Sequence, residues 1–262
     1  EETVEFCGGE PVLSKIGNIE KIRNGKKKTR VVLDQKQSGV SKATRRFERA
    51  ALPKVLDVVF EAFDLCDGDT ARAVCDSILE FLVCDVKDAF FVMPNHPKER
   101  KFFVYRYRGK YYVALRSTQG SRIAPLTWSR TAALISRLTQ SVTGSKRSRI
   151  STYGDDPILA LIGTLAERDR TIAIVLCLWS ALKIPLSLAK AARGQTLTWT
   201  SATFTAVDKS AVKVAIKPAI LSDTLEDLEK MNGPNIVPLK LLKSATGKAA
   251  HIGSLVQVVR PF

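Results

Sequence analysis

Three aspartates occupy positions where a negative charge is costly without a nearby cation. Asp85 follows the apolar run of residues 81–84, and the later tetrapeptide Tyr153-Gly154-Asp155-Asp156 places two carboxylates side by side. A carboxylate at the end of a buried strand is unfavourable unless it is paired or metal-bound. Adjacent carboxylates in a tight turn repel each other unless a cation offsets their charge.

Two aspartates in a turn are weak evidence alone, because such pairs are usually solvated or cap a helix. If the strand that ends at Asp85 lies beside a hairpin carrying Asp155 and Asp156, three carboxylates converge. Hard oxygen ligands of this kind favour Mg²⁺, with Mn²⁺ as an alternative. A pair of such ions activates a hydroxyl nucleophile and stabilises a departing phosphate. If the strands lie side by side, the pattern is thus suited to two-metal phosphoryl transfer.

The elements that hold these aspartates follow from hydrophobic periodicity and turn residues. The apolar run 81–84 predicts a buried strand. Hairpins are predicted over residues 16–35 (turning at Asn24-Gly25), 101–115, 149–161 and 197–205. Helices are predicted over residues 42–63 with a break at Pro53, 70–78, 124–141 (burying Leu126, Ala133, Leu134 and Leu138), 167–182, 224–231 and 239–259. Antiparallel strands that carry carboxylates, with helices packed behind them, indicate an α+β fold.

Positive charge is concentrated in two windows of the chain. The formal net charge is +15; residues 21–49 hold eleven Lys or Arg against two acids, and residues 98–149 hold thirteen against one. Clustered positive charge over a globular core favours a polyanionic partner, because phosphate binding is driven by counterion release. A solubilising surface is the simpler alternative. Charge thus predicts a partner class and no chemistry.

Cysteine and histidine usage excludes several other kinds of site. The five cysteines have no CxxC spacing and the two histidines are isolated, which argues against a zinc centre, a disulfide framework or histidine-based catalysis. Cys84 and Cys177 are expected in the core. The most apolar stretch, residues 171–182, is too short for a membrane span. A reducing intracellular compartment is expected, either cytoplasm or nucleus, with no membrane partner.

Several segments resemble, in order, the motifs of reverse transcriptases. Residues 85–94 (DVKDAFFVMP) are similar to the first catalytic motif, 119–125 (QGSRIAP) to the glutamine-glycine motif, and 153–156 (YGDD) to the Tyr-x-Asp-Asp box. Residues 30–34 (RVVLD) resemble the fingers strand of the family. Lys190 is similar to the lysine that precedes the primer-grip hairpin, and residues 241–262 are similar to the start of the thumb. The last segment is most similar to retrotransposon enzymes of the tyrosine-recombinase type, so a longer Pol polyprotein is expected.

The resemblance implies a right-hand polymerase and assigns a role to each matched residue. Residues 1–80 and 95–118 would form the fingers, 81–94 and 119–206 the palm, and 207–262 the start of the thumb. Asp85, Asp155 and the carbonyl of Val86 would hold two Mg²⁺ ions, with Asp156 in support and Lys190 as the general acid for pyrophosphate. Triphosphate and substrate contacts would fall to Arg23, Arg30, Phe90, Gln119, Gly120 and Tyr153.

The implied reaction is RNA-directed DNA synthesis from dNTPs on a DNA primer and an RNA template. Phe90 argues against an RNA-directed RNA polymerase, which resembles this chain in its Gly-Asp-Asp but places an aspartate five residues after the first catalytic one. A phenylalanine there binds no 2′-hydroxyl and favours deoxynucleotides. A second alternative is a catalytically inactive, nucleic-acid-binding remnant. Gly154 and Lys183 depart from the family pattern, which usually has an apolar residue and a glycine at these positions.

Overall fold

The computed structural model of the chain describes residues 2–23, 26–67, 77–207, 211–233 and 235–255. The helices within these ranges are α1 (Glu2–Cys7), α2 (Val40–Ala43), α3 (Val55–Asp67), α4 (Ala89–Val92), α5 (Ala124–Thr143), α6 (Leu165–Ala181), α7 (Pro218–Met231) and α8 (Leu239–Leu255), with 3₁₀ turns at Pro97–Phe102 and Leu188–Lys190. In the described part of the chain, no helix is both long and apolar enough to cross a bilayer.

The strands form antiparallel sheets. They are β1 (Lys15–Arg23), β2 (Lys26–Asp34), β3 (Glu80–Val83), β4 (Val104–Tyr107), β5 (Lys110–Val113), β6 (Ser148–Tyr153), β7 (Asp156–Leu161), β8 (Ala192–Gly194), β9 (Thr196–Trp199), β10 (Ala202–Ala206) and β11 (Val212–Ile216). Their order is β1-β2, β4-β5, β6-β7-β3-β8 and β11-β10-β9. The α+β prediction is confirmed.

The chain divides into two compact units, each made of two stretches. The first unit contains Glu1–Ala51 and Lys87–Leu134, and the second contains Leu52–Val86 and Ile135–Phe262. The predicted assignment of fingers, palm and thumb remains a prediction.

The core of the second unit lies on both faces of the sheet β6-β7-β3-β8. Side chains alternate along a strand, so neighbouring residues of β3 serve opposite faces. Phe81 packs with α3 and with Trp199 and Phe204 of the sheet β11-β10-β9. Leu82 packs in a separate cluster with Leu159 and with Trp179 of α6. A sheet buried on both faces holds the ends of β3 and β7 firmly.

The predicted hairpins agree with the structure, and most helices do as well. The turn at Asn24-Gly25 and the helix predicted from Thr70 lie outside the described residues. The helix predicted over residues 42–63 is wrong in its first half, since α2 has four residues and α3 begins only at Val55. Pro53 disfavours helix before it, and Arg122 donates to the carbonyls of Ser41 and Thr44, which fixes the non-helical path.

The predicted buried face of α5 is mostly wrong. Leu126 is buried, but Ala133, Leu134 and Leu138 are exposed, and Trp128, Ala132 and Thr139 are buried instead. The apolar count missed Thr139, whose hydroxyl accepts a hydrogen bond from the indole of Trp179 at 2.8 Å and so satisfies both groups in the core. Cys84 is buried as predicted, whereas Cys177 is exposed.

Candidate active site

The structure brings the strand that leads to Asp85 next to the hairpin that carries Asp155 and Asp156. β3 and β7 are antiparallel, with Val83 opposite Ile158. The pairing continues past the end of β3, because the Val86 amide donates to the Asp155 carbonyl at 2.8 Å. This register puts Asp85 opposite Asp156. The convergence of two sequence-distant carboxylate segments therefore follows from backbone pairing alone.

Lys190 reaches the same place from the opposite side of β3. It ends the 3₁₀ turn that precedes β8, and β8 pairs with β3. Its ammonium lies 2.6 Å from both carboxylate oxygens of Asp85. The Asp85 carbonyl also accepts from the Ser187 amide at 2.8 Å, so the backbone on both sides of the ion pair is fixed.

The site carries more negative than positive charge. The pKa of the Asp156 carboxyl is raised to about 6, mainly by burial and then by the charges of Asp155 and Asp85, while Lys190 acts in the opposite direction. One ammonium thus stands against three carboxylates. Additional positive charge at this point would relieve the repulsion.

The chemistry of this donor set fits a hard divalent cation, since carboxylate and carbonyl oxygens are the preferred ligands of Mg²⁺. In the arrangement present, however, no three acidic, histidine or cysteine side chains among the described residues are positioned to hold a metal ion. Both oxygens of Asp85 are instead bonded to Lys190. A metal ion at Asp85 would have to compete with that ammonium, and the Mg²⁺ prediction stays a prediction.

Trp199 supports the aspartate hairpin and was not singled out in the sequence. Its indole N–H donates to the Asp156 carbonyl at 2.8 Å. The Tyr153 ring, partly exposed, meets the indole edge-on with centroids 6.2 Å apart. The signal that could have identified Trp199 is a tryptophan on a strand of the hairpin predicted over residues 197–205. A single large side chain therefore links that hairpin to the backbone of Asp156.

Two of the departures from the family pattern, Gly154 and Lys183, lie at backbone positions with positive φ. Gly154, in the turn between β6 and β7, has φ of 62°, and Lys183, just after α6, has φ of 55°. The left-handed region favours glycine and is uncommon for other residues. The position of Lys183 therefore has the conformation that glycine adopts more readily, although a lysine occupies it.

The remaining predicted residues lie in the first unit. The Gln119 carbonyl accepts from the Leu33 amide of β2 at 3.0 Å. At Gly120, φ is 101° and a Cβ would lie 2.1 Å from the Leu33 carbonyl oxygen, so only glycine permits this approach. The glutamine-glycine motif is thereby joined to the strand that carries the exposed Arg30.

The structure says less about two further residues that were predicted to contact the substrate, Arg23 and Phe90. Arg23 is the last residue of β1, opposite Lys26, and its side chain lies outside what the structure describes. Phe90 is half-buried on the short helix α4, which Asp88 precedes in a left-handed conformation. The role of Phe90 in sugar selection is a prediction.

Comparison with known proteins gives a structural likeness without a sequence family. No family model and no curated protein matches the chain. A foamy viral protease-reverse transcriptase in complex with double-stranded DNA matches with TM-score 0.62 and 18% identity, covering 90% of this chain and 35% of the other. The same kind of protein with an RNA/DNA hybrid matches with TM-score 0.58 and 17% identity, covering 94% of this chain and 29% of the other.

At these identities the likeness concerns the fold. The chain spans about a third of the length of the viral protein that it matches with TM-score 0.62. Together with the α+β architecture, the likeness shows that this chain has a reverse-transcriptase-like fold.

Proposed function

We propose that this chain is the polymerase domain of a reverse transcriptase, which joins a dNTP to the 3′-hydroxyl of a primer on an RNA or DNA template. The observation that carries the proposal is the meeting of Asp85 with the Asp155–Asp156 backbone beside Lys190, in a reverse-transcriptase-like fold. A site with three carboxylates and one ammonium is suited to transfer of a phosphoryl group between oxygens. A retrotransposon origin and a longer Pol protein belong to the same proposal.

The proposed cofactor is Mg²⁺, as two ions, with Mn²⁺ as a substitute. Asp85, Asp155 and the Val86 carbonyl would hold the ions, and Asp156 would support them. Bound there, the ions would lower the pKa of the primer hydroxyl and offset the charge on the departing pyrophosphate.

The chain's own residues have complementary tasks in this proposal. Arg30, Arg23 and Gln119 would bind the triphosphate, Gly120 would let the backbone of Gln119 lie against β2, and Tyr153 would contact the substrate beside the aspartates. Lys190 would donate a proton to the leaving pyrophosphate, as a general acid. Its hydrogen bonds to Asp85 hold its ammonium at the site in the meantime.

Phe90 decides the product within this proposal. A ring beneath the incoming sugar leaves no volume for a 2′-hydroxyl, so the chain would make DNA. Phe90→Val should raise the efficiency of rNTP use relative to dNTP use by about tenfold. Phe91→Val, at the neighbouring half-buried phenylalanine, is the matched control and should leave the ratio unchanged. An unchanged ratio in Phe90→Val would show that Phe90 is only a core aromatic, and it would reopen the alternative of an RNA-directed RNA polymerase.

An inactive nucleic-acid-binding protein is the second candidate. In a chain that binds no metal ion, the ion pair between Lys190 and both Asp85 oxygens would be permanent. Primer extension separates the two candidates. The purified chain, an RNA template, a DNA primer and dNTPs should give extended product with Mg²⁺ and none with EDTA. Template binding without extension under either Mg²⁺ or Mn²⁺ would support the inactive protein.

A further inference from the structure

The hairpin β4-β5 of the first unit carries exposed or partly exposed aromatic and cationic side chains on both faces, with Arg106 and Tyr111 on one face and Tyr105, Tyr107 and Tyr112 on the other. Tyr105 stacks on Tyr112 with centroids 5.4 Å apart and planes 15° apart. The guanidinium of Arg106 lies 5.6 Å from the Tyr111 ring centre, and that of Arg108 lies 5.3 Å from the Tyr107 ring centre. The Tyr107, Tyr111 and Tyr112 side chains are 47%, 45% and 41% exposed. Rings of this size are usually buried further when they serve only a core.

An open pocket lies beside the same hairpin. It has a volume of about 490 Å³ and is lined by both polar and apolar residues, namely Leu13, Ser14, Lys15, Ile16, Gln37, Ser38 and Arg106. In the part of the chain that the structure describes, no carboxylate pairs with Lys15 or Arg106. Two unpaired cations with hydroxyl and amide groups around them match the needs of a phosphate. Arg106 therefore lines the pocket and also contacts Tyr111 on the same face of the hairpin.

The charge of the surrounding sequence agrees with an anionic ligand. Residues 98–116 contain seven Lys or Arg and a single acid, Glu99. Open aromatic faces interleaved with cations are the pattern that binds single-stranded nucleic acid, in which bases stack on rings while cations track the backbone. A duplex keeps its bases stacked on each other and cannot use such rings.

We propose that the β4-β5 hairpin is a binding site for an unpaired nucleic-acid strand, with a base stacked on Tyr111 and an adjacent phosphate held by Arg106 and Lys15. The inference deepens the proposed function and rests on it for its role, since the strand would be the unpaired part of the template. The binding chemistry itself needs neither metal ion nor catalysis.

The test measures the affinity of a fluorescent single-stranded oligothymidine for the full chain, without divalent ions or nucleotides. Tyr111→Ala should weaken binding about tenfold, while Tyr111→Phe keeps the ring and should stay within about twofold of wild type. An abasic strand of equal length has the phosphates without the bases, so Tyr111→Ala should not change its affinity. Equal weakening of both strands by Tyr111→Ala, or none, would overturn the inference.

Arg106→Ala tests the phosphate contact. It should weaken binding and reduce the slope of log affinity against log salt by about 0.7, the value for one phosphate contact on a single strand. Arg170→Ala removes an equal charge from an exposed position on α6 and should change the slope less. An unchanged slope in Arg106→Ala, or Tyr111-dependent binding to anionic phospholipid vesicles in place of the oligonucleotide, would contradict the assignment.

The two proposals fail separately. Tyr111-dependent strand binding without primer extension would reject the polymerase function and leave the strand site standing. Extension with no effect of Tyr111→Ala on strand binding would reject the strand site alone.

Discussion

Acidic residues lie at both ends of strand β3, but their negative charge is matched by positive charge at one end only. At its start, Glu80 is buried and its carboxylate accepts from Arg168 at 2.6 Å and from Arg193 at 2.6 and 3.0 Å. Arg193 also bonds to Asp169. Burial alone would raise the pKa of Glu80, but hydrogen bonds from Arg193 and Arg168 outweigh it and hold the pKa below its ordinary value. Two carboxylates are matched by two guanidinium groups.

Past the other end of β3, Asp85, Asp155 and Asp156 share one ammonium, that of Lys190. The pKa of Asp156 is raised there to about 6, first by burial and then by its acidic neighbours. A buried charge network that is fully paired holds a fold together, whereas unrelieved repulsion is retained where function needs it. The comparison agrees with a structural role for the Glu80 network and with the catalytic role proposed for the Asp85 group.

The largest expected difference in stability follows from removing one cation at each end. Arg168→Ala leaves part of the buried Glu80 charge uncompensated and should lower the free energy of unfolding by about 3–5 kcal/mol. Lys190→Ala breaks a pair whose ammonium is about half exposed, and it should cost less, about 1 kcal/mol. Urea unfolding measures both, and Arg170→Ala, an exposed arginine on the same helix as Arg168, is the control. Equal losses of unfolding free energy in Arg168→Ala and Lys190→Ala would show that the two ends of β3 do not differ in their contribution to stability.

A smaller effect should appear when Asp156 is neutralised. Its raised pKa means that the folded state binds a proton more tightly than the unfolded state, so wild-type stability falls as the pH rises from about 4 to about 6. The Asp156→Asn variant has no carboxyl at this position and does not lose stability in this way. Its free energy of unfolding at pH 7 should therefore exceed that of the wild type by about 1 kcal/mol, after allowance for solvent screening. In chelator-containing buffer the advantage should vanish below about pH 4. If the difference in free energy of unfolding between Asp156→Asn and the wild type does not change with pH, charge repulsion at Asp156 is contradicted.

The smallest effect concerns the support of the aspartate hairpin by Trp199. Trp199→Phe keeps an aromatic ring but removes the donor to the Asp156 carbonyl, and should cost about 1 kcal/mol of stability. Trp179→Phe removes a comparable buried indole bond, to Thr139, away from the aspartates. Both variants should unfold at similar urea concentrations, but only Trp199→Phe should slow primer extension. Equal extension rates would show that Trp199 is merely structural.

The sequence predicted what depends on local pattern and missed what depends on partners. The strand 81–84 could be predicted from its continuous apolar run and the hairpin 149–161 from two short apolar arms around a turn. In the structure their pairing places Asp85 opposite Asp156. The Glu80 network could not be predicted, because its arginines come from α6 and β8, far along the chain. Thr139 was missed as a core residue for the same reason, since its partner is Trp179. The close approach of the backbone at Gly120 could not be predicted either, because it depends on the Leu33 carbonyl, far away in the sequence.

In the proposed function, the carboxylates past the end of β3 perform catalysis while the paired charges at its start do not. Single-nucleotide extension on an RNA template tests it with two isosteric changes, Asp155→Asn at one end and Asp169→Asn at the other. Asp155→Asn should lower the incorporation rate by a factor on the order of 10³ while template–primer affinity stays within about twofold. Asp169→Asn should extend primers at nearly the wild-type rate. Wild-type extension by Asp155→Asn, or equal losses in both variants, would contradict the account.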